Sequence, residues 1–195
     1  MSQFAVDPKA AALLVMDFQT AIVEMVATEK EALLTRTANL VEGARKAGMR
    51  VIYVVVAFRA GYPEVSPKNQ SFAPIRESGR FTEGSSGTEV HAGVAPKPGE
   101  IVVTKHRVSA FAGTDLEMVL RANAVDTLVL AGLATSGVVL STIRHAADVD
   151  YRLVVVEDCC GDRDAEVHRV LMEKVFPRQA TVVKADQVLS ALKDS

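Results

Sequence analysis

Along this chain, short runs of β-branched and aliphatic residues alternate with stretches whose apolar positions recur every three or four residues. The runs Ala11–Met16, Val51–Ala57, Ile101–Thr104, Thr127–Ala131, Leu153–Glu157 and Thr181–Lys184 are apolar at neighbouring positions rather than at every second one. Strands of that kind have both faces covered, which is the pattern of a parallel sheet. Between the first two runs, Leu33, Leu34, Thr37, Leu40, Val41, Ala44 and Ala47 fall on one helical stripe, and Gly48 stands where a helix stop is expected. Helices are expected near Asp115–Ala122, Ser136–Ala147, Asp164–Val175 and Asp186–Leu192, the third showing the stripe Val167, Val170, Leu171 and Val175. A repeating βαβ unit with right-handed crossovers builds a doubly wound, Rossmann-like α/β domain of three layers, α/β/α.

One segment departs from this rhythm. From Arg59 to Glu100 the chain carries Pro63, Pro67, Pro74, Pro96 and Pro98 with six glycines and no sustained apolar period. A connection of that length covers a site, makes an interface or is a loosely ordered insertion.

Composition narrows the function classes. With 195 residues and 49% hydrophobic content, one substantial core is expected, so residues 1–195 read as a single domain. Net charge is −2, with 22 basic and 24 acidic residues well mixed, which gives no electrostatic footprint for nucleic acid or an anionic membrane. No apolar run approaches the roughly 20 residues of a membrane span, and no basic segment precedes a cleavable apolar one. A cytoplasmic protein with a small-molecule substrate and no cofactor is expected. The two cysteines, Cys159 and Cys160, are sequence neighbours and provide no disulfide framework.

In an open α/β sheet, ligands gather at the carboxyl ends of the strands, near the point where strand order reverses. Asp17 directly follows the first apolar run, where desolvation raises a carboxyl toward the range useful for proton transfer; a helix-capping or turn-capping role also fits it. Lys105 closes the third run, where an ammonium can hold a carboxylate ionised or stay solvated at a strand end. His106 and Arg107 beside it fit an exposed turn. After the fourth run comes Gly132-Leu133-Ala134-Thr135-Ser136-Gly137-Val138, a strand-to-helix turn whose N–H groups can face an anion. Thr135 or Ser136 suits an N-cap, and no histidine lies near them in sequence to make either a nucleophile. Cys159 and Cys160 suit buried packing better than catalysis. His145, Arg144 and His168 lie within helical patterns and read as surface or interface residues.

Taken together, the order and spacing of these features resemble the isochorismatase-like (cysteine hydrolase) family from about Ala11 to Leu192. The matching residues are Leu13 to Gln19, then Lys105 with Ser109-Ala110-Phe111 and Gly113 to Leu116, then Gly132 to Val138, continuing through Asp158. The resemblance implies a six-stranded parallel sheet of order 3-2-1-4-5-6 and a catalytic set of Asp, Lys and Cys. It places Asp17 and Lys105 in the first two roles, and Phe18, Gln19 and Phe111 as substrate-pocket candidates. It also implies a non-proline cis peptide at Leu133–Ala134, within an oxyanion region spanning Leu133, Ala134, Thr135, Ser136 and Gly137. The nucleophile position departs from the family pattern, because Val138 stands where the Cys is expected. Family members that hydrolyse nicotinamide also carry a metal-binding Asp-x-His after the second strand; here that region reads Ala57 to Tyr62 without such a pair, so no metal is expected.

Two functions follow as expectations. One is a cysteine-free hydrolase in which Asp17 works as acid and base, for which the family resemblance supplies a precedent in the vinyl-ether-cleaving isochorismatases, similar in fold, where an aspartic acid protonates the substrate and no thiol is needed. The other is a silent member that keeps the fold as a binding or assembly module. The family's habit of forming dimers or larger assemblies implies a homo-oligomer.

Overall fold

The computed structural model describes residues 5–27 and 29–193, so the ends of the expected 1–195 domain and residue 28 lie outside it. Six parallel strands form one sheet: β1 (Ala11–Met16), β2 (Arg50–Val56), β3 (Ile101–Lys105), β4 (Thr127–Leu133), β5 (Arg152–Gly161) and β6 (Thr181–Val183). Their order is β3-β2-β1-β4-β5-β6, as the family resemblance implies. Helices α1 (Thr20–Val26), α2 (Lys30–Lys46), α3 (Ala73–Ser78), α4 (Leu116–Ala122), α5 (Leu140–Asp148), α6 (Ala165–Val170) and α7 (Ala185–Ala191) complete the three layers.

The alternation of side chains across a strand divides the core in two. On β1, Leu13 and Val15 pack on one face with Val23 of α1, Leu40 and Val41 of α2 and Val188 of α7. Ala12, Leu14 and Met16 pack on the other face with Leu116 and Leu120 of α4 and Ile143 of α5. Every residue of β1 is buried, which is why its sequence shows no polar alternation.

Register aligns the strand ends that matter. Met16 lies opposite Val54 on one side and Gly132 on the other, while Val56 lies opposite Lys105. Asp17, one residue past β1, and Lys105, the last of β3, thus flank the end of β2. The sheet runs out to either side from β1 and β4, whose carboxyl ends form its switch point. At Gly132 a Cβ would stand 2.9 Å from Val139 Cγ2 and 3.2 Å from Met16 Cβ, so this close approach of strand and turn requires glycine.

Several elements differ from the sequence expectation. The helix expected from Ser136 opens as a π turn, Thr135–Val139, before α5, and the one expected over Asp164–Val175 passes from α6 into a second π turn, Leu171–Val175. β5 continues to Gly161, so Cys159 and Cys160 sit within the strand rather than after it. A bulge accommodates the extra length: between the pairs Leu130↔Val155 and Gly132↔Cys160, β5 advances five residues while β4 advances two.

The segment from Arg59 to Glu100 is packed, not loose. Val65, Phe72, Phe81 and Val94 are buried, Phe58 packs its ring against Tyr62 and Phe72 at 5.7 and 5.5 Å, and Val90 bridges to Gln19. Its far end is tied down by Arg45, which reaches Glu100 at 2.7 and 2.8 Å and Glu42 at 2.6 Å.

Candidate active site

Asp17 has a left-handed backbone (φ +58°), a conformation that aspartate tolerates better than most residues, and its N–H donates to Val54 O at 2.8 Å. Its carboxylate caps no helix. Oδ2 lies 2.9 Å from Lys105 Nζ, and both side chains are almost wholly buried, 7% and 3% exposed. Lys105 also donates to Arg107 O at 3.2 Å. Oδ1 of Asp17 is buried with no hydrogen-bond partner. Burial pushes the Asp17 carboxyl above its ordinary value, and the attraction and hydrogen bond of Lys105 oppose that rise without cancelling it. Removing a carboxylate from water costs more than one neighbouring ammonium returns when half of its oxygen acceptors have no donor.

The third part of the site is the turn after β4. The Leu133–Ala134 peptide is cis. Thr135 is fully buried and Val138 is 2% exposed. Neither Thr135 nor Ser136 serves as the N-cap expected of it, since that position belongs to Ala134. Instead the Thr135 hydroxyl lies 2.8 Å from His168 Nδ1, and the Ser136 N–H and hydroxyl both donate to Asp162 Oδ2 at 2.7 Å. Gly137 N–H returns to Ala134 O at 3.1 Å. His168 therefore lies in the site's surroundings, although its helical pattern reads as surface; at a sequence separation of 33 from Thr135, spacing alone carries no signal of this contact.

The three expected pocket residues have other contacts. Gln19 is fully buried and its amide is engaged at both ends, donating to Val56 O at 2.9 Å and Thr88 O at 2.8 Å and accepting from Val56 N at 2.7 Å. Phe18 belongs to the core beneath α1 and α2. Phe111 stacks on His145 with ring centroids 4.7 Å apart. His106 is fixed through Nδ1 to Ala57 O at 2.6 Å, and Arg144 bonds Gln179.

Both thiols are buried, and burial pushes Cys159 up to about 12 and Cys160 up as well. Cys160 and His168 line a cleft of about 170 Å³ together with Leu33, Arg36 and Asp162. Among the described residues, no three of His, Cys, Asp and Glu converge as a set of metal ligands, and no helix is long and apolar enough to cross a membrane.

The chain as a whole has relatives of known sequence and structure. The chain is 32% identical over 186 residues to the isochorismatase family protein YecD of Escherichia coli O157:H7, covering 94% of this chain and 97% of that one. It is 29% identical to a maleamate amidohydrolase of Pseudomonas putida, covering 93% and 86% of the two chains. An isochorismatase family protein of Burkholderia thailandensis superposes with a TM-score of 0.86 at 26% identity, over 97% of this chain and 98% of that one. The isochorismatase domain model matches residues 11–187, from the first residue of β1 into α7, and the chain therefore belongs to the isochorismatase family, whose relatives include amide hydrolases.

Proposed function

We propose that this protein hydrolyses a small molecule without a cysteine nucleophile, with Asp17 as the group that gives and takes the proton. The observation that carries this reading is the divided environment of one carboxylate: Oδ2 is held by Lys105, while Oδ1 is buried and unpartnered. An acid raised by burial keeps its proton at higher pH than an exposed one, which favours a role as proton donor.

Val138 stands in the nucleophile position of the family pattern, and an isopropyl group cannot form an acyl-enzyme. Neither native thiol replaces it, because thiols buried and raised in this way do not supply thiolate. In the proposed reaction, protonated Asp17 donates to the substrate, water adds to the activated centre, and the proton released from that water returns to Asp17. Lys105 holds the carboxylate in place and stabilises it once the proton has left. The substrate is a small molecule, in keeping with a mixed charge that gives no footprint for nucleic acid or an anionic membrane, and the protein works as a homo-oligomer in the cytoplasm. The kinship with a maleamate amidohydrolase makes amides one group to test, alongside ureas and vinyl ethers.

The test is a hydrolysis screen over those three groups with wild type and Asp17→Asn. Loss of at least about 100-fold in the variant is expected for a general acid–base residue. Equal activity in the two proteins ends the proposal.

One observation favours a second reading, a catalytically silent binding or assembly module: Asp17, Lys105 and Val138 are all nearly closed off from solvent. Val138→Cys separates the two. Amidase activity gained on restoring the thiol supports working machinery around it, and its absence together with a blank hydrolysis screen supports the silent module.

A further inference from the structure

The turn Thr135–Val139 is held at its first two residues by side chains from the stretch after β5. Asp162 Oδ2 accepts from both the N–H and the hydroxyl of Ser136, and His168 Nδ1 shares a hydrogen bond with the Thr135 hydroxyl. The opening turn of a helix carries partial positive charge on its unpaired N–H groups, and in hydrolases that pole stabilises oxyanions and thiolates. Here a full carboxylate occupies part of it. No lysine or arginine pairs with Asp162 among the described residues; Arg163, its neighbour, bonds Met25 O at 3.1 Å, and the other contact of Asp162 is a long one of 3.4 Å from Asp164 N–H. Arg36 and His168 line the same cleft without an ion pair to Asp162, whose carboxylate thus meets the turn unpaired and acts on the same backbone pole that a negatively charged intermediate would need.

We infer that Asp162 is a specificity-determining residue, whose carboxylate sets the turn after β4 against negatively charged intermediates and favours substrates activated by protonation over those attacked to give an oxyanion. This rests on the reading of residue 138 as facing the reacting centre. It also gives the loss of the thiol a physical companion, since the turn that would stabilise a thiolate is partly occupied by an internal anion.

The experiment reads the turn's pull on a test charge and needs no substrate. Val138→Cys places a thiol on the turn, and its ionisation is followed by thiolate absorbance near 240 nm as pH is raised. Cys159 and Cys160, both pushed up by burial, stay silent over most of that range. The comparison is with Val138→Cys combined with Asp162→Asn, which keeps an acceptor for Ser136 and removes the charge; Asp162→Ser is the second variant should the first not fold. The expected result is a fall in the introduced thiol's pKa of about one unit, a tenfold gain in thiolate at a pH below it. Asp164→Asn, which removes an equal charge two residues along, is expected to move it less. A pKa unchanged by Asp162→Asn, or moved equally by Asp164→Asn, overturns the inference. Failure of Asp17→Asn to reduce hydrolysis strikes the acid–base proposal instead and leaves this electrostatic result standing.

Discussion

At the scale of single residues, the protein places a carboxylate and an ammonium 2.9 Å apart in a dry setting and leaves one carboxylate oxygen unpartnered. The strand-end positions of Asp17 and Lys105 are legible in the sequence because each directly follows or closes an apolar run. Their meeting across the end of β2 is not, since it depends on strand order rather than on any local pattern. A raised carboxyl pKa has a consequence for stability whose sign is fixed. The folded state binds this proton more tightly than the unfolded chain, so the contribution of Asp17 is most favourable below the ordinary value of 3.8 and is lost as pH rises through the raised folded value. Lys105→Met should sharpen that loss, because without the ammonium the carboxylate must stay protonated or be buried unpaired. Denaturation midpoints are expected to show a modest cost near pH 5 and a cost growing toward about 3–5 kcal/mol near pH 8. Asp17→Asn/Lys105→Met should remove the pH dependence of that cost, and a loss equal at both pH values would contradict the placement of the pair.

At the scale of elements, the long helix α2 and the buried strands are legible from their periods, whereas the shorter pieces are not. The seven residues of α1 span too few turns to establish a stripe. The π turns escape for a related reason, since one inserted residue within five barely disturbs a helical pattern. The sequence points to an end of β5 at Glu157 because Glu157 and Asp158 interrupt its apolar run; the bulge explains them, and Asp158 uses its position to accept from Ala185 N at the start of α7, at 2.9 Å. Gln19 stands out by resemblance to a family motif, and its geometry gives it a structural role, joining the end of β1 to the end of β2 and to Thr88 in the segment covering them. Gln19→Leu leaves the buried N–H and C=O of Val56 unpaired there and is expected to cost about 3 kcal/mol. Hydrogen exchange should localise the effect, with faster exchange around Thr88 to His91. Unchanged exchange in that stretch would show that the segment is anchored elsewhere.

For the molecule as a whole, the doubly wound architecture can be argued from alternating runs and crossover handedness, while the strand order 3-2-1-4-5-6 comes from family resemblance alone. Composition adds little at this scale, since a net charge of −2 with basic and acidic residues mixed carries no signal of a particular partner. The proposed chemistry carries a prediction about sulfur: both native thiols should resist a disulfide reagent under native conditions and react in full once the chain is denatured. Rapid native labelling of either would return a cysteine to the chemistry. The most direct test of the central claim is the pH dependence of kcat/KM for a substrate found in the hydrolysis screen, measured on wild type and Asp17→Asn. The account predicts a wild-type rate that falls as pH rises through the raised pKa of Asp17, and a variant slower by at least about 100-fold with that dependence gone. Equal rates and matching profiles in the two proteins would contradict it.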